Sequence, residues 1–484
     1  MKPFINRRTA ILLLVAAAAH AQDNQARQFR AGAAASNITP PLGSPIVGGW
    51  DAPPATYIHD ELFARALVLD DGRTRLAIVV SDNVGIPRNV FDAAKRIVNE
   101  KIGLPVTHML MSATHTHSAA SARSGDYSED QLNDYQRFVA TRIADGVLRA
   151  IHNLEPAQIG WGVGREPGQV FNRRWRMKPN SPELRNPFGG FDQVRMNPPT
   201  GHPDLIEPAG PTDPEIHFVS VRSTSSRPIA LLANYSLHYV GGVPRGHISA
   251  DYFGVFAQRT KELLNADHQD PPFVGILSNG TSGNINNINF RGDSPPRKWK
   301  PYEKLAVVAN QVAAEVFKAL QTIQYHDWVP LGIAQVEIPI RFRVPNEADL
   351  KWANSVLSRP EGTQNTHIRE AIYARRALDM KKLPEQIPLI LQVVRIGDVG
   401  IAAIPAEVFV EIGLEIRKRS PFAQTFTMSL ANGAYGYLPT VEQHKLGGYE
   451  TWRGTNRLEV EAAPKMIDAL IGLMNDLRTT ASQR

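Results

Sequence analysis

A chain of 484 residues with 43% hydrophobic and 21% charged side chains has a globular composition and room for up to about three domains or one large one; coiled-coil, collagen-like and wholly disordered readings are excluded. No cysteine occurs, which removes disulfide scaffolds, zinc fingers, iron–sulfur clusters and thiol nucleophiles together, so a bound metal must use His, Asp, Glu or Tyr. The formal net charge of +6 is halved if Lys2, Arg7 and Arg8 leave with a cleaved leader, and no basic run stands behind the remainder, which argues against nucleic acid as a partner.

Residues 1–21 read as that leader: a basic start ending in Arg7 and Arg8, an apolar run over 10–19, and the small-residue cleavage pattern Ala19, His20, Ala21. The run is half of the roughly 20 residues a membrane helix needs, so cleavage and export are expected over anchoring. A secreted or periplasmic protein follows, with Sec and twin-arginine export both open, and no later segment is long and apolar enough to span a bilayer.

From Phe29 onward, apolar strands alternate with amphipathic helices. RLAIVV at 75–80 reads as a buried strand, 87–101 as the helix after it, 106–112 as the next strand, 132–154 as a helix and 157–163 as a strand. Residues 171–214, rich in Pro, Asn, Gly and Arg, read as a loop long enough to cover a site. Strands resume with HFVSVRS and IALLANYSL, followed by a helix over 252–264, the strand FVGILS and a helix over 302–320. After strands in 329–343, the charged stretch 346–382 reads as a helical hairpin broken at Pro360 and Gly362; LILQVVRIG, VGIAAIP, a helix over 406–419 and FTMSLA complete the pattern. The expected fold class is α/β, a multilayer sandwich of mixed β-sheets flanked by helices. With no repeat and no linker, the expected partition is a single catalytic domain over 22–484 with 346–382 as a helical insertion.

The unusual polar residues fall at strand ends, where ligands converge in α/β sheets. THMLMSA runs into His115 and His117, IALLANYSL ends at His238, FVGILS at 279–284, VGIAAIP at Glu407, and FTMSLA at Asn432, Tyr435 and Tyr437. His115 and His117, two apart, face the same side on an extended backbone. With a third histidine and a carboxylate at other strand ends, two readings stand: a metal centre, for which zinc suits the nitrogen and oxygen donors, or a hydrogen-bonded histidine cluster. Neither GxSxG, HExxH nor a P-loop occurs, and Ser282 in NGTSGN reads locally as part of a glycine-rich turn.

In order along most of the chain, NITPPLG, IHDELFARALVL, VVSDNVG, MSATHTHS, FNR, SLHYVGG with ISADYFG, SNGTSGN, IPAEVF, and ANGAYGYLPT with GGYE resemble motifs of the neutral and alkaline non-lysosomal ceramidases, secreted zinc amidases that cleave the N-acyl bond of ceramide. The resemblance implies zinc held by His115, His238, Glu407 and Tyr437. It implies His117, Arg173 and Tyr449 around the scissile carbonyl, and Ser282 as a catalytic residue, either nucleophile or partner of water at the zinc, which overrides the turn reading. The match is expected to cover the catalytic part alone, since residues 453–484 look like a terminal helix and not the family's C-terminal immunoglobulin-like domain. Two motifs depart: Ala119, Ala120 and Ser121 follow ATHTHS where a Gly/Pro-rich turn is typical, and NGTSGN stands where GDxSPN is expected.

The expected function is a secreted zinc-dependent amidohydrolase cleaving an N-acyl, ceramide-like amide with water activated at the zinc. The alternatives are a related zinc hydrolase acting on another amide or ester, such as an N-acyl amino sugar or lipoamino acid, and a non-catalytic envelope binding protein. The partner is a small-molecule or lipid-like N-acyl substrate. Because Arg173, Arg174, Arg176 and Lys178 form a cationic stretch in the long loop, they are expected beside the substrate, favouring a polar or anionic amine portion over plain long-chain ceramide.

Overall fold

Aliphatic side chains recurring on both faces of a run demand cover on both faces, and the chain supplies it by stacking two sheets between helices. The computed structural model describes residues 28–122, 131–293, 297–360 and 362–482; the expected leader over 1–21 lies outside them. The larger sheet contains β1 (Arg30–Asn37), β2 (Phe63–Asp70), β3 (Arg75–Ser81), β4 (Met109–Ala113), β5 (Glu155–Arg165), β6 (Glu215–Ser223), β7 (Pro228–Tyr235) and β8 (Val274–Asn279). Their order is β8-β7-β6-β5-β1-β2-β3-β4, and Tyr325–His326 adds a short strand on β5. The pairs β7/β8 and β3/β4 are parallel, whereas the central pairs are antiparallel. The second sheet runs β9 (Leu331–Arg341), β10 (Gln386–Ile396), β11 (Val399–Ala403) and β12 (Gln424–Met428) in that order.

Alternation along the strands sorts side chains into layers. Leu67, Leu69, Ile78 and Val80 meet Val394, Ile396, Phe426 and Met428 in a core between the sheets. From the same strands Ala66, Val68, Ala77 and Val79 face outward onto α1 (Arg88–Ile102) and α2 (Asp134–His152). On the other half of the large sheet, α3 (Asp251–Leu263) and α4 (Glu303–Leu320) cover Phe218, Leu231 and Leu277. Leu391 and Val393 of β10 pack outward with α7 (Val410–Arg419) and α8 (Ala462–Ser482) after the hairpin α5 (Glu347–Leu357) and α6 (Glu370–Met380). The expected multilayer α/β sandwich of mixed sheets is therefore observed.

The helix ends follow local rules. Gly103, at φ 69°, closes α1 with its N–H on the Asn99 carbonyl, and Asn133 and Gln136 form a reciprocal capping box on α2. Two expectations are corrected. The stretch 171–214 contains a small sheet in which Arg174–Met177 is flanked by Val194–Met196 and Leu205–Pro208. The helix expected from 406 starts only at Val410, because Glu407–Val408 pairs in parallel with Tyr437–Leu438.

The large sheet curls until its edge strands β4 and β8 approach one another. The segment after β12 joins them: the Ser429 N–H donates to the Asn279 carbonyl beyond one edge, while Ala431 bridges to Ser112 on the other. This closure brings the C-terminal ends of β4, β7 and β8 to one place. No helix among the described residues is long and apolar enough to cross a membrane.

The same segment makes a polar contact with α1. Lys95 is 2% exposed and its Nζ donates to Asn432 Oδ1 at 2.8 Å, and burial pushes its pKa down to about 8. A base with a depressed folded-state pKa destabilises the fold fully below that value, and the cost vanishes as pH approaches the unfolded value of 10.5. The stability of wild type relative to Lys95→Met should therefore rise between pH 8 and 10.5, by on the order of 3 kcal/mol. Denaturant titration of both proteins across this range checks it; a flat difference would contradict a strained ammonium.

Candidate metal centre

Past the end of β4 the backbone still follows its neighbours, with Thr114 and His115 donating to the carbonyls of Ser81 and Asn83 at 2.9 Å each. His115 itself is left-handed at φ 73°, a conformation a non-glycine residue rarely adopts. The expected extended backbone is thus interrupted there, yet both imidazoles still reach one point: Nε2 of His117 lies 3.1 Å from Nε2 of His115. Thr116 between them is buried, with its hydroxyl donating to the Ser249 carbonyl at 2.7 Å. His238, three residues past β7, brings its Nε2 to 3.1 Å from the same His115 atom. Glu407 Oε2 stands 3.3 Å from it.

The outer nitrogens decide the tautomers. His115 Nδ1 is 2.6 Å from the Val84 carbonyl and His238 Nδ1 is 3.1 Å from the Ser282 carbonyl. A carbonyl only accepts, so each Nδ1 carries the proton and each Nε2 presents a lone pair inward. Burial first, then Arg173 and the two other histidines, push His238 well below its usual pKa, so its ring stays neutral. Two facing lone pairs at 3.1 Å with no proton between them repel, and a cation relieves that repulsion. Donors about 2.0–2.1 Å from a tetrahedral ion sit about 3.3 Å apart, close to the separations found here. Among the described residues His115, His117 and His238 form a group able to hold a metal ion, so the donor set fits one. The sequence reading sets His117 apart from the ligands, as a group beside the scissile carbonyl; its Nε2 stands as near to His115 as that of His238 does.

The other site residues close around this group. Glu407 is in register with Tyr437 in their short parallel ladder. The Arg173 guanidinium carbon lies 5.4 Å from the Tyr437 ring centroid. Arg173 donates through Nε to Glu450 Oε1 at 3.0 Å and through Nη2 to the Gly283 carbonyl at 2.8 Å. Burial alone would lower its pKa, but facing Tyr437, Glu450 and Glu407 raise it, so the guanidinium stays charged. Ser282 is buried beside Gly283, and a Cβ on Gly283 would stand 2.6 Å from the Glu407 carbonyl oxygen, which is why the serine loop needs glycine there. Tyr449 sets its ring edge-on to Tyr437 at 5.9 Å and to Trp50 at 5.8 Å.

Three residues that the sequence reading passed over stand here. Tyr239 stacks on His117 at 3.7 Å, Trp50 flanks Tyr449, and Glu450 bridges two arginines. Tyr239 and Glu450 carried a signal, as letters of SLHYVGG and GGYE, and Trp50 carried none. The cationic stretch is also corrected. Arg174 is 0% exposed, bound to Glu450 Oε2 at 2.7 Å, to Gln443 and to the Gly447 carbonyl, so it is unavailable to a substrate. Arg176 and Lys178 face Glu207 and Asp204 at 3.6 and 3.8 Å near the surface.

Against models of known protein families the sequence matches none. Against solved structures, the chain aligns with the neutral ceramidase of Pseudomonas aeruginosa at a TM-score of 0.69 and 17% identity, over 94% of this chain and 75% of that one. A ceramidase complexed with C2 matches at the same score and identity, over 94% and 76% of the two chains. The fold is that of a neutral ceramidase. At 17% identity the likeness carries the architecture, and the chemistry of a ceramidase-fold site has to be argued from the residues present.

Proposed function

We propose that this protein is a zinc-dependent amidohydrolase that cleaves the N-acyl bond of a ceramide-like substrate. In this reading residues 1–21 direct export from the cytoplasm and 22–484 form a single catalytic domain carrying the hairpin 346–382. The observation that carries it is the meeting of His115, His117 and His238 with Glu407 on a ceramidase fold, with two imidazoles held as Nδ1–H tautomers so that their lone pairs converge. Donors that are mostly imidazole favour zinc over harder ions.

His115, His238, Glu407 and Tyr437 are assigned to hold the ion. When bound, it supplies Lewis acidity at the acyl carbonyl and eases deprotonation of water near neutral pH. Arg173 is the preorganised donor for the developing oxyanion: with its buried guanidinium fixed by Glu450, Gly283 and Tyr437, its remaining N–H groups have a set direction. Tyr449 is the second donor. His117, steadied by the face of Tyr239, is placed to protonate the leaving amine. The Ser282 carbonyl orients His238, and its hydroxyl is assigned to the reacting centre, as nucleophile or as partner of the attacking water.

Purified protein assayed for fatty-acid release from a panel of N-acyl amides tests this reading. Activity should vanish with a chelator and return with zinc. Ser282→Ala should lower kcat by about 100-fold or more while zinc content stays at the wild-type level. Wild-type turnover in that variant would return Ser282 to a purely structural role. Zinc-loaded wild type that turns over no amide or ester would instead fit the envelope binding protein.

A further inference from the structure

A cavity of about 240 Å³ opens beside Tyr449, between the small sheet of residues 174–208 and the segment leading into α6, with Trp50, Arg195, Arg369 and Trp452 in its wall. We propose that this cleft takes an anionic group, carboxylate or phosphate, on the amine portion of the substrate, and that Arg195 and Arg369 hold it. The proposal rests on the amidase reading above and names its substrate class.

Arg369 lies with its guanidinium carbon 4.0 Å from the centroid of Trp50, whose ring in turn meets Tyr449. Among the described residues no carboxylate pairs with it. Arg376 approaches the same Trp50 ring at 5.5 Å. The crowding is felt: burial first, then Arg195 and Arg376, lower the Arg369 pKa against the opposing pull of Tyr373 and Tyr449. Arg195 stands at the other wall. Its Nε is closed off from solvent and has no partner among the described residues, while its outer nitrogen makes a 3.4 Å contact with Glu183.

The acids present do not balance these cations. Asp192 is already engaged by the Trp452 indole at 2.7 Å and by Asn186 at 3.1 Å, and Glu183 meets only one edge of Arg195. Arg185, also in the wall, lies over Phe191. An entering carboxylate or phosphate would give the buried Nε an acceptor and relieve the repulsion between guanidinium groups, and the planar donor array of arginine suits such an anion. A cleft with this wall is a poor place for an acyl chain, so the amine side is assigned to it.

A matched set with one acyl chain tests this: N-dodecanoyl glycine and N-dodecanoyl phosphoethanolamine against the neutral N-dodecanoyl glycinamide and N-dodecanoyl ethanolamine. The expected result is a kcat/KM about tenfold higher for an anionic member than for its neutral partner, expressed in KM and shrinking as salt is raised. The two anionic arms tell carboxylate from phosphate. In Arg369→Gln and in Arg195→Gln the anionic-to-neutral ratio should fall toward one, and Arg369→Lys, which keeps the charge, should retain part of it. A wild-type ratio near one, or a ratio unchanged in both glutamine variants, overturns the anion site and leaves the amidase reading standing. Should none of the four be cleaved, the amidase reading is what fails. Calorimetric titration with the sulfonamide analogues then decides the cleft: tighter binding of the anionic analogues, lost in the variants, supports it, and equal binding overturns it.

Discussion

On the proposed zinc amidase reading, replacing His238 by alanine is expected to abolish zinc binding and to lower kcat/KM by about a thousandfold or more. His238 Nε2 faces His115 Nε2 at 3.1 Å, and its buried ring is oriented by the Ser282 carbonyl, so its loss takes away an imidazole donor already aimed at the centre. A readout besides activity follows from the facing lone pairs. On the same reading a metal bound to wild type relieves the repulsion between the two imidazoles, so removing it should lower Tm; in His238→Ala that repulsion is gone with the ring, and a chelator should leave Tm nearly unchanged. Elemental analysis of the purified variant checks the first claim and a melt with and without chelator the second. Stoichiometric zinc retained after loss of His238 would mean that the ion is held by a different set of donors, and the assignment of His115, His238, Glu407 and Tyr437 would go with it.

Much of the architecture was legible because it depends on runs of aliphatic residues that are covered on both faces. RLAIVV, IALLANYSL and LILQVVRIG each became strands of the two sheets within a few residues of the expected limits. The small sheet in 174–208 escaped notice because its strands are short and mix arginine, tryptophan and proline, so no period of two stands out. The two-residue ladder at Glu407 and Tyr437 left no pattern at all, since such a bridge depends on what the curl of the large sheet brings near. At the candidate site, the residue types were readable from strand ends, and their closeness came from a feature no local pattern encodes: the approach of two edge strands in one sheet. His115 reached the cluster through a left-handed turn where an extended strand was expected. Charge was the least legible property. A run of four cations looked like a substrate-facing surface, yet one of them, Arg174, is wholly inside and the unbalanced arginines lie elsewhere, at 195 and 369.

The largest effect on stability is expected at Glu450, where no ligand is involved. Its carboxylate is 0% exposed and divided between two buried guanidinium groups, Oε1 accepting from Arg173 Nε at 3.0 Å and Oε2 from Arg174 Nη1 at 2.7 Å. Glu450→Gln keeps the shape, removes the charge, and turns an N–H₂ group toward donors that have nowhere else to go. Breaking one partner of a buried ion pair costs about 3–5 kcal/mol, because the cations left behind remain desolvated. Glu262→Gln is the control, since Glu262 meets Arg259 at 2.9 Å with both side chains about two-fifths exposed, and an exposed pair of this kind should change the melt little. Arg173 connects this network to the chemistry. Glu450→Gln leaves one acceptor oxygen for two guanidinium groups, so the hold on Arg173 Nε and the direction of the N–H groups assigned to the oxyanion are weakened, and kcat should fall while zinc remains bound, at temperatures where the variant is still folded. Equal, small changes in the melts of Glu450→Gln and Glu262→Gln would show that the buried fork does not hold the site together. A large loss of stability with unchanged kcat would separate the fold from the donor and leave Arg173 held by the Gly283 carbonyl and Tyr437.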